Sequence, residues 1–180
     1  MANCIFCQII AGNVPSKKLF EDDKVLAILD IYPASPGHIL LIPKEHYMFM
    51  NEIPTDVFAH MGAISQRLSH ILVANLKAAG TTVIVQSGQD AGQKAPHFIM
   101  HIIPRFENDG LALEVPTNKI EQSDIDDLYG RLKPILSQTF PGQKLEDAEE
   151  SEDEEPEPEN TDDSEQEEPD EILDQIEDLI

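Results

Sequence analysis

Apolar positions in the first 115 residues fall into short runs separated by turn signals, the pattern of strands in a mixed fold. Residues 17–21 and 24–30 read as two strands joined at Asp22-Asp23 in a hairpin-like connection. Pro33-Ala34-Ser35-Pro36-Gly37 then breaks the chain before a mostly apolar strand over 38–42, which Pro43 closes. Residues 55–76 predict a long helix, because Phe58, Met61, Ile64, Leu68, Ile71 and Leu72 line up as one apolar stripe. Ala79-Gly80 is its expected stop. Two more strands follow at 81–86 and 97–103, joined by a glycine-containing loop over 87–96. Ile125, Leu128, Leu132 and Ile135 mark a second amphipathic segment, which Pro134 is expected to cut short. The architecture this predicts is α+β: a largely antiparallel sheet with helices packed on one face.

Charge divides the 180 residues into two parts. Residues 1–144 hold all 12 Lys and Arg and 15 Asp and Glu, whereas residues 145–180 hold 20 acidic residues and no basic one. Neither part has the cationic excess that nucleic-acid binding demands. No apolar run reaches the length of a membrane span, and the first 12 residues lack the form of a signal peptide. The expectation is a cytoplasmic chain with an ordered domain over 1–140 and a largely disordered acidic tail over 141–180. Between about 145 and 170 the tail has too little apolar surface to offset ordering entropy. Ile172, Leu173, Ile176, Leu179 and Ile180 then lie on one face of a short terminal helix. That stretch is either a frayed end or a helix that folds against a protein partner.

Chemistry concentrates around Pro96-His97-Phe98-Ile99-Met100-His101-Ile102-Ile103-Pro104-Arg105. On a strand His97, Ile99 and His101 share one face, and Phe98, Met100 and Ile102 share the other. Upstream, Gly88 and Gly92 let backbone N–H groups in the 87–96 loop turn toward an anion. Cys4 and Cys7 form a CxxC pair at zinc-ligand spacing, although a redox pair or two inert buried thiols fit the same spacing. Taken alone, two histidines on a strand are more often structural than catalytic.

In chain order stand Cys4-x-x-Cys7, Phe20-Glu21-Asp22, Leu29-Asp30-Ile31-Tyr32-Pro33, Pro36-Gly37-His38, Ile42-Pro43-Lys44-Glu45-His46, Ala91-Gly92-Gln93 and His97 through Arg105. Over residues 2–110 this order resembles the histidine-triad (HIT) family of nucleotide-binding hydrolases and transferases. The resemblance implies a five-stranded, mainly antiparallel sheet with one long helix and a C-terminal helix, and a homodimer. It implies that Asp30 accepts hydrogen bonds from the ribose hydroxyls of a purine nucleotide. Ile31, with Phe6 and Ile10 near it, would line the purine slot. Gln86 would lie by the sugar-phosphate, and Gln93 and His101 by the α-phosphate. Lys94 stands where many members carry a small hydroxyl residue. The family motif is His-φ-His-φ-His-φ-φ, with φ apolar, and its middle histidine is the nucleophile; here that position is Ile99. A hydrocarbon side chain has no lone pair with which to attack phosphorus.

A subset of the family also carries four-ligand zinc sites, which implies that His46 and His97 complete a Cys₂His₂ set with Cys4 and Cys7. His38, His60 and His70 are expected to be solvated bystanders. Three readings compete. One is a nucleotide-binding protein impaired in or lacking nucleotidyl transfer. Another is an active nucleotide hydrolase or transferase that attacks the α-phosphate through His101 or water. The third is a structural zinc module with a vestigial pocket. The acidic tail over 145–180 could also fold back as a mimic of the nucleotide's phosphates.

Overall fold

The computed structural model describes residues 4–112 and 117–141. The chain divides into two compact units, Met1–Pro116 and Thr117–Ile180. In the first unit a short helix, α1 (Ile5–Ile10), precedes strands β1 (Lys18–Glu21), β2 (Val25–Leu29) and β3 (Ile39–Pro43). The long helix α2 (Thr55–Leu76) and strands β4 (Gly80–Val85) and β5 (Met100–Arg105) follow. The five strands form one sheet in the order β1-β2-β3-β5-β4, with every neighbouring pair antiparallel.

The turns have identifiable causes. Asp22 Oδ1 accepts the N–H groups of Lys24 (2.9 Å) and Val25 (2.8 Å), which closes the β1–β2 connection. Gly37 adopts φ +92°, a backbone conformation that favours glycine, and a Cβ there would also press on Leu76 Cδ1 at the end of α2 (2.6 Å).

Both faces of the sheet are buried, which is why β2 (VLAIL) and β3 (ILLIP) read as continuous apolar runs. On one face Val25, Ala27, Ile39 and Leu41 pack with Phe98, Met100 and Ile102 against Met61, Ile64, Leu68 and Leu72 of α2. On the other, Leu26, Ile28, Leu40, Ile42 and Ile99 meet Ile9, with Phe6, Ile10 and Val14 packed beside them. The expectation of helices on one face alone is therefore corrected, because α1 covers part of the second. The remainder of that face is where the site lies.

Helix α2 keeps its expected bounds, 55–76, while its stop signal, the start of β5 and the passage of α3 through Pro134 differ from the sequence reading. Helix α2 ends at Lys77, which takes a left-handed φ of 55°, and Gly80 instead opens β4. The β5 ladder begins at Met100 rather than His97, because the Phe98 N–H bonds to Tyr47 O (2.7 Å) outside the sheet. Pro104 is tolerated inside β5 because the pairing with β3 has ended by Ile102. In the second unit, α3 (Gln122–Thr139) continues through Pro134 and forgoes the hydrogen bond its ring cannot donate. No residue of α3 is buried. The readings made for 142–180, including the terminal helix, lie outside the described residues.

Candidate functional site

Two neighbouring arrangements occupy the α1 side of the sheet. The first gathers Cys4, Cys7, His46 and His97, whose ligand atoms all lie within 4.8 Å of one another. Cys7 Sγ is 3.2 Å from His46 Nδ1 and 3.7 Å from His97 Nδ1; Cys4 Sγ is 3.5 Å from His97 Nδ1, and the two imidazole Nδ1 atoms are 3.2 Å apart. A tetrahedral ion with Zn–S of about 2.3 Å and Zn–N of about 2.0 Å sets its donors about 3.3–3.8 Å from one another. The donor types, and four of the six donor spacings, therefore suit a zinc-sized ion.

Each ligand has a structural reason for its place. The α1 turn delivers the two thiols, and the connection after β3 delivers His46. The Phe98–Tyr47 bond holds the approach to β5 beside that connection, which brings His97 against His46. His97 Nε2–H donates to Pro43 O (3.0 Å), leaving Nδ1 as the lone pair turned toward the sulfurs. Burial lowers the His97 pKa, which favours this neutral, ligating form.

The second arrangement is a cavity of about 590 Å³ lined by Phe6, Asp30, Tyr32, His38, Gln86, Gln93, Lys94, Ile99 and His101, among others. A volume of this size suits a small ligand. The register that pairs Leu40 with His101 sets β3 beside β5 here. His38 Nε2 then lies 3.1 Å from His101 Nδ1, and His38 Nδ1 lies 3.3 Å from Asp30 Oδ2. The Ala34 N–H donates to His38 Nδ1 (3.2 Å), which places the proton of the neutral ring on Nε2, facing His101. Burial lowers the pKa of both histidines.

His38 is thus no bystander: it is 5% exposed and lies between Asp30 and His101, which corrects the sequence expectation. His60 is corrected as well, since its Nε2 pairs with Asp22 Oδ2 at 2.7 Å. His70 is exposed, as expected of it.

The expected nucleotide positions come together unequally. Asp30 lines the cavity while its Oδ1 also accepts the Tyr32 N–H (2.9 Å), so it serves the turn and faces the cavity at once. Ile31 is 79% exposed and lies outside the cavity wall; its neighbour Tyr32 and the more distant Phe6 line it instead. Gln86 lines the wall, and a Cβ on Gly92, which adopts φ +86°, would strike its amide. Gln93 also lines the wall, but its amide is already engaged: Oε1 accepts Gly88 N–H (2.7 Å), and Nε2 donates to Met48 O (2.8 Å) and Ala95 O (2.9 Å). Ile99 is buried between Leu40, Ile28 and the cavity, on the His97 and His101 side of its strand. Arg105 turns to a bidentate pairing with Asp109 (2.7 and 3.1 Å) and is not part of the wall.

The sequence reading missed His38. The signal available was alternation: His38 stands two positions before Leu40, on the strand face that bears the site.

The HIT domain family model matches residues 11–108. A HIT-like protein of Methanocaldococcus jannaschii is 36% identical over 130 residues, covering 72% of this chain and 98% of that protein. Adenylylsulfatase HINT3 of Arabidopsis thaliana is 43% identical over 109 residues, covering 61% of this chain and 55% of that protein. The crystal structure of a zinc-bound histidine triad family protein from Mycobacterium smegmatis is similar with a TM-score of 0.60 at 29% identity, covering 77% of this chain and 99% of that one.

Proposed function

The chain belongs to the HIT domain family, and on that premise we propose that it is a purine nucleotide-binding protein whose nucleotidyl transfer is lost or impaired at Ile99. One observation carries this reading. The cavity keeps Asp30, His38 and His101 in contact, yet a buried isoleucine occupies the face between His97 and His101. Asp30 offers a carboxylate for the ribose hydroxyls, and Gln86 an amide for the sugar-phosphate. Phe6 and Tyr32, rather than Ile31, supply apolar surface for the base. His101 faces the α-phosphate, and Gln93 fixes the loop beside it.

Without the imidazole at 99, attack on phosphorus would fall to His101. Two residues along a strand span about 6.6–6.8 Å, whereas a nucleophile must stand within about 3–3.5 Å of the reacting atom. A nucleotide seated for a nucleophile at 99 would have to slide by roughly that difference. The Nδ1 of His101 is, in addition, already engaged by His38.

A second reading keeps the chain active as a hydrolase, with His101 activating a water. The placement of His101 on the cavity wall favours it, since an imidazole there can move a proton to or from a water. Its resemblance to an adenylylsulfatase points the same way.

Cys4, Cys7, His46 and His97 are assigned to a structural zinc ion that would tie α1 to the β3–α2 connection and the start of β5. The donor spacings and the similarity to a zinc-bound relative support that assignment. A cytoplasmic homodimer, an ordered domain over 1–140 and a protein partner for the acidic tail complete the reading.

Calorimetry with AMP tests the binding site. The natural chain is expected to bind, and Asp30→Ala to weaken binding by about tenfold or more, as loss of a charged hydrogen-bond acceptor should. Unchanged affinity in Asp30→Ala would remove the ribose assignment.

A further inference from the structure

The four-ligand cluster and the cavity share two residues. Phe6 stands between Cys4 and Cys7 in the chain and lines the cavity that Asp30, Ile99 and His101 also line. His97 belongs to the cluster and to the cavity wall alike. The Phe6 and His97 rings lie 6.1 Å apart, centroid to centroid, so the shared residues also touch each other.

Little else fixes the Phe6 ring. Helix α1 has six residues, too few to persist on its own hydrogen bonds, and Ile9 is its one buried residue. The backbone bonds of this segment close on the segment itself: Gln8 N–H donates to Cys4 O (3.2 Å), Ala11 N–H to Cys7 O (3.0 Å) and Asn13 N–H to Gln8 O (2.9 Å). Among the described residues, the polar contacts that join residues 4–14 to the sheet are those of the two thiols with His46 and His97. The rest of the hold is apolar, with Phe6, Ile9 and Ile10 packed in the cluster that contains Leu40 and Ile99. Apolar contact is non-directional and lets a single-turn helix rotate or slide. Bonds from one ion to Cys4 and Cys7 would pin the chain on either side of Phe6, in a direction that packing alone does not impose.

We propose that the ion held by Cys4, Cys7, His46 and His97 positions Phe6 as a wall of the cavity, so that zinc and nucleotide each raise the affinity for the other. The inference rests on the zinc assignment and the nucleotide-binding reading above and adds a coupling between them. Phe6 is the residue through which the coupling runs. Linkage makes it reciprocal: the factor by which zinc tightens the nucleotide is the factor by which the nucleotide tightens zinc.

The test measures zinc affinity by competition with a chromophoric chelator, with and without saturating AMP. In the natural chain AMP is expected to raise zinc affinity about tenfold, within the usual range for coupled sites. Calorimetric titration of AMP into the zinc-loaded and the zinc-free chain is expected to return the same factor. Phe6→Leu is expected to keep zinc affinity in the absence of AMP and to reduce the effect of AMP to within about twofold. The chain contains no tryptophan, so Phe6→Trp adds a single fluorophore at this position. Its emission is expected to shift on chelation and to return when zinc is restored. Zinc affinity indifferent to AMP in the natural chain, an undiminished effect in Phe6→Leu, or an emission indifferent to chelation would each overturn the proposal while leaving both sites standing. A chain that binds no zinc would overturn it together with the metal assignment, and one that binds zinc but not AMP would overturn it together with the nucleotide reading.

Discussion

Burial of His38 and His101 against each other and against Asp30 ties the cavity to pH. Both imidazoles titrate below their ordinary range because they lose solvent on folding, so near pH 6 the unfolded chain binds more protons than the folded one. The stability they contribute is fully present above the unfolded value of about 6.5 and is lost as pH falls through it toward the folded values. Urea unfolding at a series of pH values, in excess zinc, should show stability falling on acidification from pH 7.5 to 5.5. His38→Gln should flatten that slope, and an identical slope in the variant would contradict the assignment. The individual residues were unequally legible. Cys4-x-x-Cys7 announces its chemistry locally, and the resemblance supplied His46 and His97 as partners. His38 was overlooked because a polar residue at the start of an apolar strand looks like a strand edge. Only the Leu40–His101 register places it beside His101. Gln93 was legible as a cavity residue, but the consumption of its amide by three backbone groups depends on a loop path that spacing does not reveal.

At the scale of elements, α2 was readable from end to end because its 22 residues carry an uninterrupted stripe. Its stop was not. The chain turns at Lys77, a non-glycine residue in the left-handed region, so that Gly80 can open the edge strand β4. Lys77→Gly should therefore raise stability by about 1 kcal/mol, the strain of a left-handed Cβ being removed. Urea denaturation measures this, and a loss of stability would show that the Lys77 side chain contributes more than its backbone costs. Strand β5 was legible as an alternating segment but not as a ladder. Its first three expected residues keep the alternation, with Phe98 toward α2 and Ile99 toward the cavity, while the Phe98 N–H bonds to Tyr47 O outside the sheet. Helix α3 outlasted Pro134 because one missing hydrogen bond interrupts a helix without having to end it. The short α1 was not foreseen as a helix at all. Six residues give too little periodicity to detect, and its packing comes from the far face of the sheet.

For the molecule as a whole, the α+β class and the antiparallel sheet follow from the order of runs and turns, whereas burial of both sheet faces is settled only by tertiary packing. The proposed zinc site is the clamp among three distant segments. Purified protein is expected to carry about one zinc per chain, and chelation to lower its thermal midpoint, with zinc restoring it. Metal analysis that finds no zinc, or a midpoint indifferent to chelator, would contradict the clamp. The central claim is that a hydrocarbon at position 99 leaves this scaffold able to hold a nucleotide but not to form a covalent bond to its phosphorus. Intact-mass analysis of the protein after incubation with adenosine 5′-phosphoramidate, run alongside a turnover assay, tests this most directly. The account predicts no nucleotidyl adduct and negligible turnover for the natural chain, with measurable turnover gained in Ile99→His. Brisk turnover by the natural chain, or an adduct on His101, would contradict it.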